Sequence, residues 1–193
     1  MTSAVSATKE PATRRILTAA RSLVARGGAA EISMGDVAAS AGVSKALVHY
    51  HFHDKDSLLH ALVEDVGSAV LQRAREAMRR ETDPHALDAY WSWLADELHR
   101  GDLRILVSLA EYDSDRVRAA SRHLSDQRRE LAVEHTALVF SRLGLHPRVP
   151  AGLVADTLLA FVDGIAVTHA LDPDRDPRPA FDVLWLALLT LAE

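Results

Sequence analysis

The 193-residue chain contains no cysteine, which excludes a disulfide framework, thiolate zinc sites, cysteine-ligated iron–sulfur clusters and a cysteine nucleophile. Lysine is scarce, three residues against nineteen arginines, and with the abundant alanine this points to the codon usage of a GC-rich bacterial genome. No stretch reaches the 18 or so uncharged apolar residues of a membrane span, and the best run, near Leu184–Leu191, is far shorter. The opening MTSAVSATKE lacks the apolar segment of a secretory signal, so the expected location is the cytoplasm. Also missing are a Gly-rich phosphate loop, HExxH, GxSxG and a carboxylate pair at a persuasive spacing. Glu134-His135, and Asp163 with His169, come nearest to a polar constellation, and exposed ion pairs or solitary buried histidines account for them. No catalysis and no cofactor are expected.

The composition that remains is 48 % apolar and 25 % charged, ordinary for a protein with a real core, and the length suits one domain or two unequal ones. The net charge of −5 hides an asymmetry. Residues 1–60 carry +2 and residues 61–193 carry −7, which directs an anionic partner to the N-terminal end.

Helical periodicity covers nearly the whole chain. Over residues 12–26, Ile16, Ala19, Ala20, Leu23 and Val24 share one face, and Gly27-Gly28 closes the segment. Ser33 is placed to cap a helix over 34–40, with Asp36 completing a capping box and Ile32 and Val37 spaced as a hydrophobic staple. Ala41-Gly42-Val43-Ser44 interrupts it, and Ser44 caps a third helix to about Tyr50. Two helices of about seven residues joined by a short glycine-containing turn make a helix-turn-helix. A long helix is expected from Lys55 to about Arg80, a fifth after the capping pair Asp83-Pro84, and a shorter one from Gly101-Asp102 to about Tyr112. Helical patterns then cover 115–142, a stretch opened by Pro150, and 180–191, with Asp172–Pro179 as a loop. The fold class is all-α, and no strand with two-residue alternation is found.

A short helix is well sized to enter a B-form major groove while the preceding one crosses the backbone. On the third helix Val43, Leu47 and Val48 are expected to face a small core with Ile16, Leu23, Val37 and Phe52, leaving Ser44, Lys45, Ala46, His49 and Tyr50 outward. Lys45 and His49 can donate to a guanine edge or a phosphate, and Ala46 can pack on a thymine methyl. Ser33 and the amides at its helix start suit a phosphate, as do Tyr50, His51 and Lys55. His49, His51, His53 and His60 are not expected to hold a metal. On a helix only His49 and His53 would share a face, and neither carboxylate nor cysteine completes a tetrahedron.

The run SMGDVAASAGVSKALVHYHFHDKDSLL at Ser33–Leu59 resembles the TetR family of bacterial transcriptional regulators. The resemblance rests on Val37, Ala38, the Ala41–Ser44 turn, Lys45, Phe52, Lys55, Leu58 and Leu59. His49 stands where members usually carry tyrosine. The resemblance supports DNA contacts for Ser44, Lys45, Tyr50 and Lys55. It implies about nine helices: a disordered tail over 1–10, a three-helix DNA-binding domain over 11–54, and an effector-binding and dimerisation domain over 55–193. The activity it implies is repression at a palindromic operator, bound as a homodimer and released by a small-molecule effector of unknown identity. A helical protein-binding or scaffold module without sequence-specific DNA binding is the alternative. Dimerisation is expected through the last two long helices, near Leu158, Val162, Trp185, Leu188 and Leu189. For the effector, the candidates are polar or aromatic groups on apolar helices: Trp91, Trp93, Tyr112, His135, Phe140, Phe161, Asp163 and His169.

Overall fold

The computed structural model describes residues 11–80 and 86–193, so the expected tail over 1–10 and the Asp83-Pro84 helix start lie outside the described residues. Within them are α1 (Ala12–Gly27), α2 (Met34–Ala41), α3 (Lys45–His51), α4 (Lys55–Arg80), α5 (Ala86–Arg100), α6 (Asp102–Ala110), α7 (Asp115–Arg142), α8 (Ala151–Leu171) and α9 (Arg178–Leu189). The only β feature among them is an isolated antiparallel bridge between Pro147 and Ala192.

Local chemistry explains most boundaries. Ser33 accepts from Asp36 N while Asp36 receives the Ser33 amide, so the capping box that opens α2 is complete. Ser44 and Ser114 cap α3 and α7 in the same way through their hydroxyls. Gly42 closes α2 at φ +63°, where a Cβ would be strained. The end of the chain departs from the expected pattern. α9 begins at Arg178, directly after Pro177, and admits Pro179 to its first turn, where the missing amide has no helical acceptor to lose. It stops at Leu189, because the last residues turn back: His146 N donates to Glu193 O, Arg148 N to Leu191 O and Glu193 N to His146 O.

The first three helices form a small head in which α1 packs on α2 and α2 on α3. α4 leaves this head and runs into a bundle, packing on α5, α6 and above all α7, with α7 in turn on α8. α4 and α7 approach closely at Gly67, whose added Cβ would lie 2.6 Å from Leu124 Cδ2. α9 is held through rings: Phe181 stacks on Tyr90 at 6.1 Å between centroids, and Trp185 meets Tyr90 edge-on at 6.1 Å.

The segment most like a membrane span is α8, not the 184–191 run: its 21 residues are long and apolar enough by length and composition alone. In the fold it packs on α5, α6 and α7, and its buried stripe of Val154, Ala155, Leu158, Val162, Ile165 and Ala166 serves the bundle core.

Candidate nucleic-acid interface

The α2–α3 pair is fixed from inside. Ile16, Val37 and Val48 are fully buried and Phe52 nearly so. Val48, at the centre of α3, is therefore its anchor. Val43 packs at the edge of the core, and Leu47, expected to face inward, is only half-buried. Arg15 of α1 ties the turn down from outside, donating from Nη2 to Ala41 O (2.6 Å) and Gly42 O (3.0 Å). Sequence reasoning missed Arg15, since a clamp between residues 26 and 27 positions apart leaves no local signal.

Ser44, Lys45, Ala46, His49, Tyr50 and His51 are all exposed, Tyr50 by 77 %. Lys45 and Ala46 lie four and three residues before His49, so these three form one solvent-facing stripe. His49 Nδ1 lies 3.1 Å from His53 O, and His51 Nδ1 lies 3.3 Å from Thr13 Oγ1. The histidines thus engage separate partners, and no group of three or more potential metal ligands is found among the described residues.

Two expected phosphate contacts are otherwise engaged. The Ser33 hydroxyl donates to Asp36 Oδ2 at 2.6 Å and accepts from Asp36 N at 3.2 Å, so only backbone amides remain for an anion there. Lys55 points into the seam between head and bundle, where Nζ donates to Ala30 O at 2.7 Å and lies 5.0 Å from the Tyr112 ring centre. Burial draws its ammonium below the usual lysine range. The same seam takes Tyr112 away from the effector candidates. Its hydroxyl donates to Asp56 Oδ1 (3.3 Å), the Ser114 hydroxyl to Asp56 Oδ2 (2.7 Å), and Ala29 N to Ser108 Oγ (2.9 Å). Deeper in, Arg73 of α4 donates to both Glu97 of α5 and Asp102 of α6, and Arg21 of α1 pairs with Asp102 at 2.6 Å.

The other effector candidates do not converge on one place. Trp93 and His135 line a cavity of about 30 Å³ with Val70, Leu71, Ala74, Tyr90, Leu131 and Leu159. Asp163 receives Arg128, which forms part of that wall. Burial, aided by the charge of Arg75, holds the His135 imidazole down to about 4, and burial raises the Tyr90 phenol well above its usual range. Trp93 Nε1 is buried without a hydrogen-bond partner. Trp91 packs on Phe181 and carries Arg178 over its ring, Phe140 lines a cleft by the α7–α8 turn, and His169 lines another beside the loop before α9. Phe161 is half-buried at the edge of the core.

The expected dimer residues are corrected in the same way. Leu158, Val162, Trp185 and Leu188 are buried within one protomer, so they support α8 and α9 from behind and offer no surface to a partner; Leu189 is half-buried. The apolar side chains left open on these helices are Leu153, Val183 and Leu186, with Leu171 at the end of α8.

Comparison with known proteins agrees with this geometry. Residues 16–62, the span from α1 into α4, match the model described as bacterial regulatory proteins, tetR family. The HTH-type transcriptional regulator BetI of Brucella anthropi is 29 % identical over 175 residues, covering 86 % of this chain and 85 % of its own. The fatty acid degradation regulator FadR from Bacillus halodurans superposes with a TM-score of 0.75 at 16 % identity, over 94 % of this chain and 96 % of that one. FadR from Bacillus subtilis, in complex with stearoyl-CoA, superposes with a TM-score of 0.72 at 14 % identity, over 91 % and 97 %. Residues 16–62 thus carry the helix-turn-helix head of the TetR family of bacterial transcriptional regulators, and along most of its length the chain shares the fold of the solved regulators it superposes on.

Proposed function

We propose that the chain is a repressor that binds a palindromic operator as a homodimer and leaves it when a small molecule enters the bundle. Residues 11–54 act as the reading head and 55–193 as the effector-binding and dimerisation body. The observation that carries the proposal is the Lys45–Ala46–His49 stripe, exposed on a short helix whose opposite side is anchored by fully buried Val48. Ser44, Tyr50 and His51 flank it for phosphates, and Lys55 reaches one only by leaving Ala30. One such helix reads too few base pairs to find a site, and pairing two about 34–36 Å apart over an inverted repeat supplies the rest.

The effector reading is supported by the cavity between α4, α5, α7 and α8. At about 30 Å³ it has room for a single water, so a larger ligand fits only if the helices around it part. Its wall, apolar apart from the uncharged His135 and an Arg128 already paired with Asp163, fits an uncharged or weakly polar molecule. Because α4 begins next to the reading head, a ligand that favours the parted arrangement lowers operator affinity. The test is enrichment of bound duplexes from a random pool at stated salt, followed by a ligand screen on the recovered site. An inverted repeat supports the reading, and binding without preference among duplexes rejects it. A ligand that saturates the protein yet leaves operator affinity unmoved rejects the release step.

A further inference from the structure

The imidazole of His49 differs from the other ring nitrogens on the reading face in one respect: its partner determines its polarity. A carbonyl oxygen can only accept, so the 3.1 Å contact with His53 O requires Nδ1 to carry the hydrogen. In a neutral imidazole the other ring nitrogen, Nε2, is then a bare acceptor. His51 has no such constraint, because its partner Thr13 Oγ1 can either give or take a hydrogen. His49 is exposed on the same stripe as Lys45 and Ala46, and Nε2 has no partner among the described residues.

We infer that His49 is a base-reading residue that accepts rather than donates, selecting a base with an exocyclic amine. In the major groove these are adenine, through N6, and cytosine, through N4, whereas guanine and thymine present acceptors at the corresponding edge. Lys45, a donor only, sits one turn earlier and calls instead for an acceptor, supplied by guanine, thymine or adenine N7. The stripe therefore presents a donor and an acceptor one helical turn apart, and each half-site should carry an amino base at the position His49 reads. This rests on α3 being the groove-entering helix, and the experiment separates the two claims.

Duplexes are enriched from a random pool at pH 8, where histidine side chains are generally uncharged, using the full chain and two variants, His49→Lys and His49→Phe. The wild type is expected to recover adenine or cytosine at one position of each half-site, favoured about tenfold over the keto bases. His49→Lys should invert that position to guanine or thymine, and His49→Phe should lose the preference there while keeping the rest of the repeat. Substitution of an exposed ring leaves the buried side of α3 untouched, and a thermal melt of each variant verifies this. A repeat with the same bases in all three proteins overturns the role of His49 and leaves operator binding intact. If the wild type enriches no repeat at all, the groove-binding reading fails, and the inference fails with it.

Discussion

At the scale of single residues, the head is shaped by groups whose obligations are already met. Ser33 spends its hydroxyl on Asp36 and Lys55 its ammonium on Ala30, so residues that look free in one dimension are tethered in three. Arg15 is the reverse case, an unremarked arginine that holds the turn before the recognition helix. His135 supplies a titration test. The unfolded chain takes up a proton near 6.5, while the buried imidazole refuses it until about 4. Fewer protons are then bound by the folded state, so His135 makes folding less favourable as pH falls through that interval. Replacing it with methionine, similar in volume and unable to titrate, should flatten the loss of thermal stability between pH 6.5 and 4; parallel melting curves for the two proteins would show that His135 is not its source.

Helix elements were largely readable because their ends are marked by neighbours in sequence. Ser33, Ser44 and Gly42 act on residues three or four away, and the structure finds each in its expected role. Contacts across the fold leave no such mark. Tyr112 and Phe140 look alike as aromatics on apolar helices, yet one bonds Asp56 and the other lines a distant cleft. α8 and α9 carry apolar side chains on more than one face, so hydrophobicity alone could not separate the inward Leu158 and Trp185 from the outward Leu153 and Leu186. The polar seam among α1, α4, α5 and α6 was equally invisible, since its members lie 24 to 29 positions apart or more. Its carboxylates, Glu97 and Asp102, are completely buried. Arg73→Met should therefore destabilise the protein by about 3–5 kcal/mol, because two carboxylates lose a shared counter-charge that burial forbids them to replace with water. A chemical denaturation midpoint unchanged from wild type would contradict this.

Taken as a whole, the molecule carries its positive balance at the head and its unburied apolar side chains on the body. The side chains of Leu153, Val183 and Leu186 are each more than half exposed, on the two helices that end the chain. An apolar surface on an otherwise charged protein suits a second copy of itself, and a two-fold arrangement uses the same residues twice. Introducing charge with Leu186→Glu and Val183→Glu together should yield a monomer by analytical ultracentrifugation. Operator affinity should fall by at least about tenfold, since one reading head is then lost from each complex. A double variant that still sediments as a dimer would move the interface elsewhere.

The close passage of α4 across α7 at Gly67 bears on how such a body could move its head. Gly67 stands near the midpoint of a 26-residue rod, with one end beside the reading helix and the other beyond the cavity wall. A beam turning about that point has unequal arms: Val70, Leu71 and Ala74 at the cavity stand three to seven residues from Gly67, and Lys55 at the head stands twelve. A sideways shift at the cavity would therefore return at the head in the opposite direction and about two to four times as large.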